Sequence, residues 1–188
     1  MDEMILKLKV FTRSLVDGLD NFNLNGPKRS HSFDIDCSTF IDYLNTPIDT
    51  SEQFKERFDE LKTMDGPCIY WVDLLSDNIS SVDVVEAIRR YRDKEERLLP
   101  VIYKKQNNSR TLYVGKANNL IWARVLTHFG FHKRKNLQGL QLYHWARQIG
   151  LTVRFNIIEF EPGCKNLLAA LEYEVAKQKQ PLVGAHVS

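Results

Sequence analysis

Between Asp65-Gly66-Pro67 and Pro181, short apolar runs alternate with segments of helical period, and this rhythm constrains the fold more than any other feature of the chain. Ile69 to Val72 is an apolar strand. Ser80-x-x-Asp83 opens a helix whose Val84, Ile88 and Tyr91 fall at i, i+4 and i+7. Leu98 to Lys105 reads as a strand, Gln106-Asn107-Asn108-Ser109 as a turn, and Thr111 to Val114 as its hairpin partner. Asn118 or Asn119 is placed to cap a helix running to about Phe129. A further helix is predicted from about Leu137 to Gln148, closed by Gly150. Leu151 to Phe160 alternates as a strand, Pro162-Gly163 breaks it, and Asn166 starts a last helix that stops before Pro181. Strands interleaved with helices in this order predict an α/β (α+β) protein, with a small central sheet containing antiparallel pairs and helices flanking it.

Residues 1–65 read as an accessory region ahead of the main domain at 66–188. Ile5 to Phe11 alternates, with Leu6, Leu8 and Val10 on one side, which predicts a strand. Asn25-Gly26-Pro27 marks a turn. Ser38 is placed to cap a short helix ending near Asn45-Thr46-Pro47. Thr50-x-x-Gln53 reads as a capping box before Phe54, Phe58 and Leu61 at helical spacing.

Charge divides along the same boundary. Residues 1–66 carry 8 Lys and Arg against 13 Asp and Glu, whereas residues 67–188 carry 18 against 11. A basic C-terminal part suits a polyanion, because Lys and Arg displace the counterions condensed on phosphates. Arg89, Arg90, Arg92 and Lys94 crowd the polar surface of the helix after Ser80, and Lys133-Arg134-Lys135 forms a basic loop. No apolar run approaches the roughly 20 residues needed to cross a bilayer. Met1-Asp2-Glu3-Met4 lacks the basic and apolar blocks of a signal peptide. Cys37, Cys68 and Cys164 are odd in number and never form a C-x-x-C pair, so a reduced, cytoplasmic setting is expected. There is no P-loop, G-x-G-x-x-G or G-x-S-x-G, and His128 with His132 lacks a third ligand for zinc.

The residues able to carry chemistry lie in the same stretch. Tyr70 and Tyr113 end or begin the tripeptides Cys68-Ile69-Tyr70 and Tyr113-Val114-Gly115, on strands expected to be neighbours about 4.8 Å apart. A phenol is a poor base near neutral pH unless a cation such as Lys116, or a metal-bound water, shifts the balance. Arg124 and His128 stand at i and i+4 on one helix face. In the last helix, Leu167, Leu168, Leu171 and Val175 form the expected buried stripe, flanked by Glu172 and Glu174.

Taken in order, these residues resemble the catalytic module of the GIY-YIG nucleases, over about residues 66 to 184. The resemblance implies a β-β-α-α-β-α core, here with an insertion at about residues 74–105. It also implies divalent-metal-dependent hydrolysis of DNA phosphodiester bonds. One of Tyr70 and Tyr113 would take the proton from the attacking water and the other would place it. Arg124 would neutralise charge gathering on the phosphoryl oxygens, with His128 one turn later and Lys116 in support. Glu172, nine positions before Pro181 and followed by Val175 and Ala176, matches the family's metal-binding glutamate for Mg2+ or Mn2+ better than Glu174 does. Lys133, Arg134, Lys135, Arg89 and Arg92 would track the DNA backbone. Two positions depart from the pattern. Cys68 stands where the family has Gly, and Gly184 stands where it often has an Asn that helps hold the site. The alternative they raise is a nucleic-acid-binding module that has lost the cut.

Overall fold

The computed structural model describes residues 1–42, 47–93, 97–103 and 108–184. The chain opens with helix α1 (Asp2–Asn25) and strand β1 (Arg29–Asp36), followed by helix α2 (Lys55–Lys62) and strand β2 (Cys68–Leu74). Helix α3 (Ser81–Arg92), strands β3 (Val101–Ile102) and β4 (Thr111–Ala117), and helices α4 (Ile121–Phe129) and α5 (Leu142–Trp145) come next. Strand β5 (Thr152–Glu159), helix α6 (Leu168–Lys179) and strand β6 (Val183–Gly184) complete it. The fold is α+β. A four-stranded sheet in the order β1-β5-β2-β4 is antiparallel throughout, and β3 with β6 forms a second, two-stranded sheet. No helix among the described residues is long and apolar enough to cross a membrane.

The two faces of the main sheet bury different partners, as strand alternation requires. One face presents Tyr70, Val72, Leu74, Val153, Phe155, Ile157, Phe33 and Ile35 to the larger core, beneath Phe54 and Phe58, Ile88 of α3, Phe129 of α4 and Trp145 of α5. Phe33 and Phe155 stack across β1 and β5 with centroids 5.3 Å apart. Ile69 on the opposite face packs with Phe160, Cys164 and Leu168, joined by Phe22, Ile158, Leu171 and Val175. Residues 29–36 thus add an edge strand to the same sheet that holds β2 and β4.

A buried carboxylate fixes the start of that arrangement. Glu159, fully buried, forms an ion pair with Arg29, lies 3.3 Å from Lys28 Nζ, and accepts the Gly66 N–H at 2.7 Å. A Cβ at Gly66 would lie 2.6 Å from the Phe160 carbonyl oxygen, so only glycine fits the turn into β2.

Several local expectations give way to tertiary structure. Residues 5–11 are helical, not a strand, because the apolar positions continue at helical spacing through Phe11, Leu15, Gly18 and Phe22. Leu6, Leu8 and Val10 are all exposed. Asp36, not Ser38, caps the short 3-10 turn at Cys37–Thr39, accepting the Ser38 N–H at 2.9 Å. The capping box at Thr50 does not form, since Thr50 closes a separate turn and Gln53 Nε2 donates to Thr39 Oγ1 at 2.8 Å. The hairpin is also corrected. β4 pairs with β2, while the strand expected at 98–105 shrinks to β3 and pairs with β6. Tyr43, Leu44, Asn45, Thr46, Lys94, Lys104, Lys105, Gln106 and Asn107 lie outside the described residues. Leu120, in a left-handed conformation, precedes α4 in place of an asparagine cap. The helix expected from Leu137 begins only at Leu142, after Gln141 at φ 54°, and continues as a 3-10 turn to Gly150. A 3-10 turn at Pro162–Leu167 delays the last helix to Leu168. By contrast the Ser80–Asp83 capping box forms reciprocally, at 3.2 and 2.8 Å.

Removing one partner from a buried ion pair leaves the other charge and its hydrogen-bond donors unmatched. Glu159→Ala is therefore expected to cost about 3 kcal/mol in urea unfolding, with an unchanged denaturant slope. Asp34→Ala breaks an exposed pair with Arg154 at 2.6 Å and is expected to cost under about 1 kcal/mol.

Candidate active site

The register of β2 on β4 sets Tyr70 opposite Gly115 and Val72 opposite Tyr113, so both phenols rise from one face of the sheet. Their ring centroids lie 6.0 Å apart at an interplanar angle of 29°. The glycine is obligatory. A Cβ at residue 115 would lie 2.7 Å from Tyr70 Oη and 2.6 Å from Tyr113 Cε1. Cys68, two residues before Tyr70, is buried, and its Sγ donates to the Gly66 carbonyl at 3.5 Å. Burial pushes its thiol up to about 12, so this position packs and does not react.

Helix α4 lowers two side chains onto the phenols. The His128 ring is fully buried, with its centroid 5.3 Å from Tyr70 and 4.9 Å from Tyr113. Its Nε2 lies 2.8 Å from Tyr70 Oη, and its Nδ1 accepts the Leu140 N–H at 3.1 Å. Arg124, one turn earlier and half-buried, directs Nε and Nη2 to Tyr70 Oη, each at 3.4 Å, and its charge acts on Tyr113 as well. Burial drives both phenols above their ordinary value. The charge of Glu172 adds to that rise at Tyr113, while Arg124 opposes it at both. Burial, and then the Arg124 charge, hold His128 well below the ordinary imidazole value, so the ring is neutral.

The other face of β4 carries Lys116, whose ammonium pairs with the Glu172 carboxylate. Helix α6 buries the leucine stripe read from its sequence only in part. Its deepest line is Leu168, Glu172 and Ala176, with Leu167, Leu171 and Val175 only half-buried. A carboxylate in that line, 6% exposed, is costly unless paired, and Lys116 supplies the pair. Glu174 is exposed and bonds to Gln178 at 3.0 Å, which separates the two glutamates by environment. Tyr70, Tyr113, Arg124, His128, Lys116 and Glu172 therefore meet around β4, the edge strand of the sheet. Among the described residues no group of three or more His, Cys, Asp and Glu could enclose a metal ion. Glu172 is the carboxylate of the cluster, a donor suited to an ion whose other ligands are waters and substrate oxygens.

The basic residues divide. Lys133, Arg134 and Lys135 are exposed in the loop between α4 and α5, and Arg89 is exposed on α3. Arg92 is instead half-buried and donates to the Pro100 carbonyl, anchoring the end of the inserted segment. Arg97 Nη1 donates to the His132 carbonyl at 2.8 Å and ties that segment to the basic loop. At Gly184, in β6, a Cβ would overlap the hydroxyl of Tyr103. Sequence reasoning missed the Leu140 amide, since a backbone donor leaves no mark in residue type, and it missed Phe155, centred 6.3 Å from the His128 ring.

Two measurements test this geometry without reference to activity. Gly115→Ala should cost about 1–3 kcal/mol in thermal unfolding, from overpacking against the phenols. His128 should make stability fall with acidification. Its folded value lies below its unfolded value near 6.5, so the unfolded chain binds the proton that the buried ring refuses. The loss between pH 6.5 and 5.5 should be about 1 kcal/mol, and it should vanish in His128→Asn.

Compared with known proteins, the chain matches no family model, no curated protein and no solved structure.

Proposed function

We propose that this protein is a divalent-metal-dependent endonuclease of the GIY-YIG type that hydrolyses phosphodiester bonds in DNA, working in a reduced cytoplasmic setting. The observation that carries the reading is the meeting of two phenols, a guanidinium, a neutral imidazole and an ammonium–carboxylate pair around β4. These groups are spread from residue 70 to residue 172. Structural packing alone gives no reason to line up a buried carboxylate with two buried tyrosines at a sheet edge. The order of elements after Cys68, with α3 and β3 as the insertion, agrees with the order the resemblance implies.

In this reading Tyr113 is the phenol that takes the proton from the attacking water. It lies within the field of Glu172, whereas Tyr70 is fully buried behind it and held by His128 and Arg124. Arg124 donates to the Tyr70 oxygen, and its charge favours the deprotonated form of both phenols. As the water oxygen bonds to phosphorus and the P–O bond to the leaving alkoxide breaks, Arg124 neutralises the added charge on the non-bridging oxygens. Glu172 would hold Mg2+ or Mn2+, which supplies Lewis-acid stabilisation of the departing oxygen. Lys116, with its side chain 36% exposed, is free to turn from Glu172 toward a phosphate. Lys133, Arg134, Lys135 and Arg89 would follow the DNA backbone without reading its sequence.

A second reading keeps the DNA grip and drops the cut. It is favoured by Gly184, which brings no side chain to the site, and by the ion pair that already engages Glu172 with Lys116. Supercoiled plasmid separates the two. Nicking should require Mg2+ or Mn2+, cease in EDTA, and fall by about 10²-fold or more in Arg124→Ala and Glu172→Gln. Salt-sensitive gel shifts with no nicking in either metal would replace the enzyme by the binding module. Neither signal at low salt would end both readings.

A further inference from the structure

His128, like Tyr70, is a fully enclosed polar group of the site, and the direction of its hydrogen bonds can be worked out. Leu140 offers a backbone N–H, which can only donate, and it donates to Nδ1 at 3.1 Å. Nδ1 therefore bears no proton, and the neutral ring carries its single proton on Nε2. That nitrogen lies 2.8 Å from Tyr70 Oη, so the imidazole donates and the phenol oxygen accepts. Arg124 donates to the same oxygen. With its acceptor capacity taken up by two donors, Tyr70 must send its own proton elsewhere, away from the imidazole and the guanidinium, and the neighbouring ring of Tyr113 is centred 6.0 Å away.

We propose that His128 is a positioning residue and not a proton acceptor: fixed in the Nε2–H form by the Leu140 amide, it donates to Tyr70 and so turns the Tyr70 proton away from the imidazole. The inference rests on the nuclease reading for its catalytic meaning, but its geometry stands apart from that reading.

The loop carrying Leu140 is built to hold that amide in place. Both backbone groups of Leu140 are engaged, because Trp145 Nε1 donates to its carbonyl at 2.6 Å. The next residue, Gln141, is buried in a left-handed conformation that a non-glycine residue seldom adopts. On the near side, Gly139 passes so close to α4 that a Cβ would lie 2.8 Å from the Thr127 carbonyl oxygen. These features explain why a helix does not start at Leu137. Continuing it through Leu140 would turn the N–H into the helix and leave Nδ1 without a donor. The other groups facing the ring leave Nδ1 to the Leu140 amide, since the one that bonds to the ring, Tyr70, meets it at Nε2. They are Tyr70 from β2, Tyr113 from β4, Phe155 from β5 and Arg124 from its own helix.

Nitrogen-15 NMR of the ring, in the full chain without substrate, tests the tautomer. The expected pattern is an unprotonated Nδ1 and a protonated Nε2, and Trp145→Phe should blur it into a mixture while the fold persists. A protonated Nδ1 in the wild type overturns the proposal even if the plasmid is nicked. Loss of nicking with the expected pattern intact would instead count against the nuclease reading. Rates give the second arm. His128→Gln keeps an N–H donor and should retain nicking within about tenfold, whereas His128→Phe keeps shape and burial and should lose about 10²-fold. Equal loss in both variants, with both folded, would overturn the positioning role.

Discussion

The space above Gly115 is what the rest of the site depends on. Tyr70 and Tyr113 can share one sheet face, with an imidazole lowered between them, because residue 115 has no side chain. Any larger residue would push the two rings apart or expel the hydroxyl of Tyr70. From that opening the arrangement builds outward. The phenols need donors, because they are buried. α4 supplies Arg124 and His128, and the irregular segment before α5 supplies the Leu140 amide. Each addition satisfies a polar group the previous one brought into the interior, as buried hydrogen-bonding groups require.

A second constraint runs through Glu159. Its carboxylate holds Arg29 at the start of β1, Lys28 just before it and Gly66 at the entry to β2. The N-terminal segment is thereby joined to the strand that carries Tyr70. Charge patterning had suggested a division near residue 66, but the acidic N-terminal part contributes core aromatics and an edge strand on the far side of the sheet.

Much of the site was legible in the sequence because it depends on spacing within regular elements. Tyr70 and Tyr113 flank strand-like runs, Arg124 and His128 are one helical turn apart, and Glu172 sits at a fixed distance from Pro181. The strands at β2 and β5, the capped helix α3 and the end of α6 followed from the same local rules. What could not be read was set by tertiary contacts. An apolar alternation over a few residues fits a strand or one side of a helix equally well, and α1 shows the second. A turn between two strands does not say that they pair, and β4 found its neighbour in β2. The burial of Glu172 in the line of Leu168 and Ala176 was hidden because the leucines nearby are the stronger hydrophobic signal. The tautomer-fixing amide had no signal at all.

Strand β4 places the phenol half of the cluster on one side and the ammonium–carboxylate half on the other, through Tyr113 and Lys116. Their relative placement is thus written into the pleat of a single backbone and not into flexible side-chain torsions. A slip of one residue along β2 would invert both assignments together, sending the phenol toward α6 and the ammonium into the aromatic core. The irregularity between Val72 and Asp73 lies just past the Val72–Tyr113 pair. Pairing beyond it is offset by one residue, while the Tyr70–Gly115 and Val72–Tyr113 pairs before it keep one register.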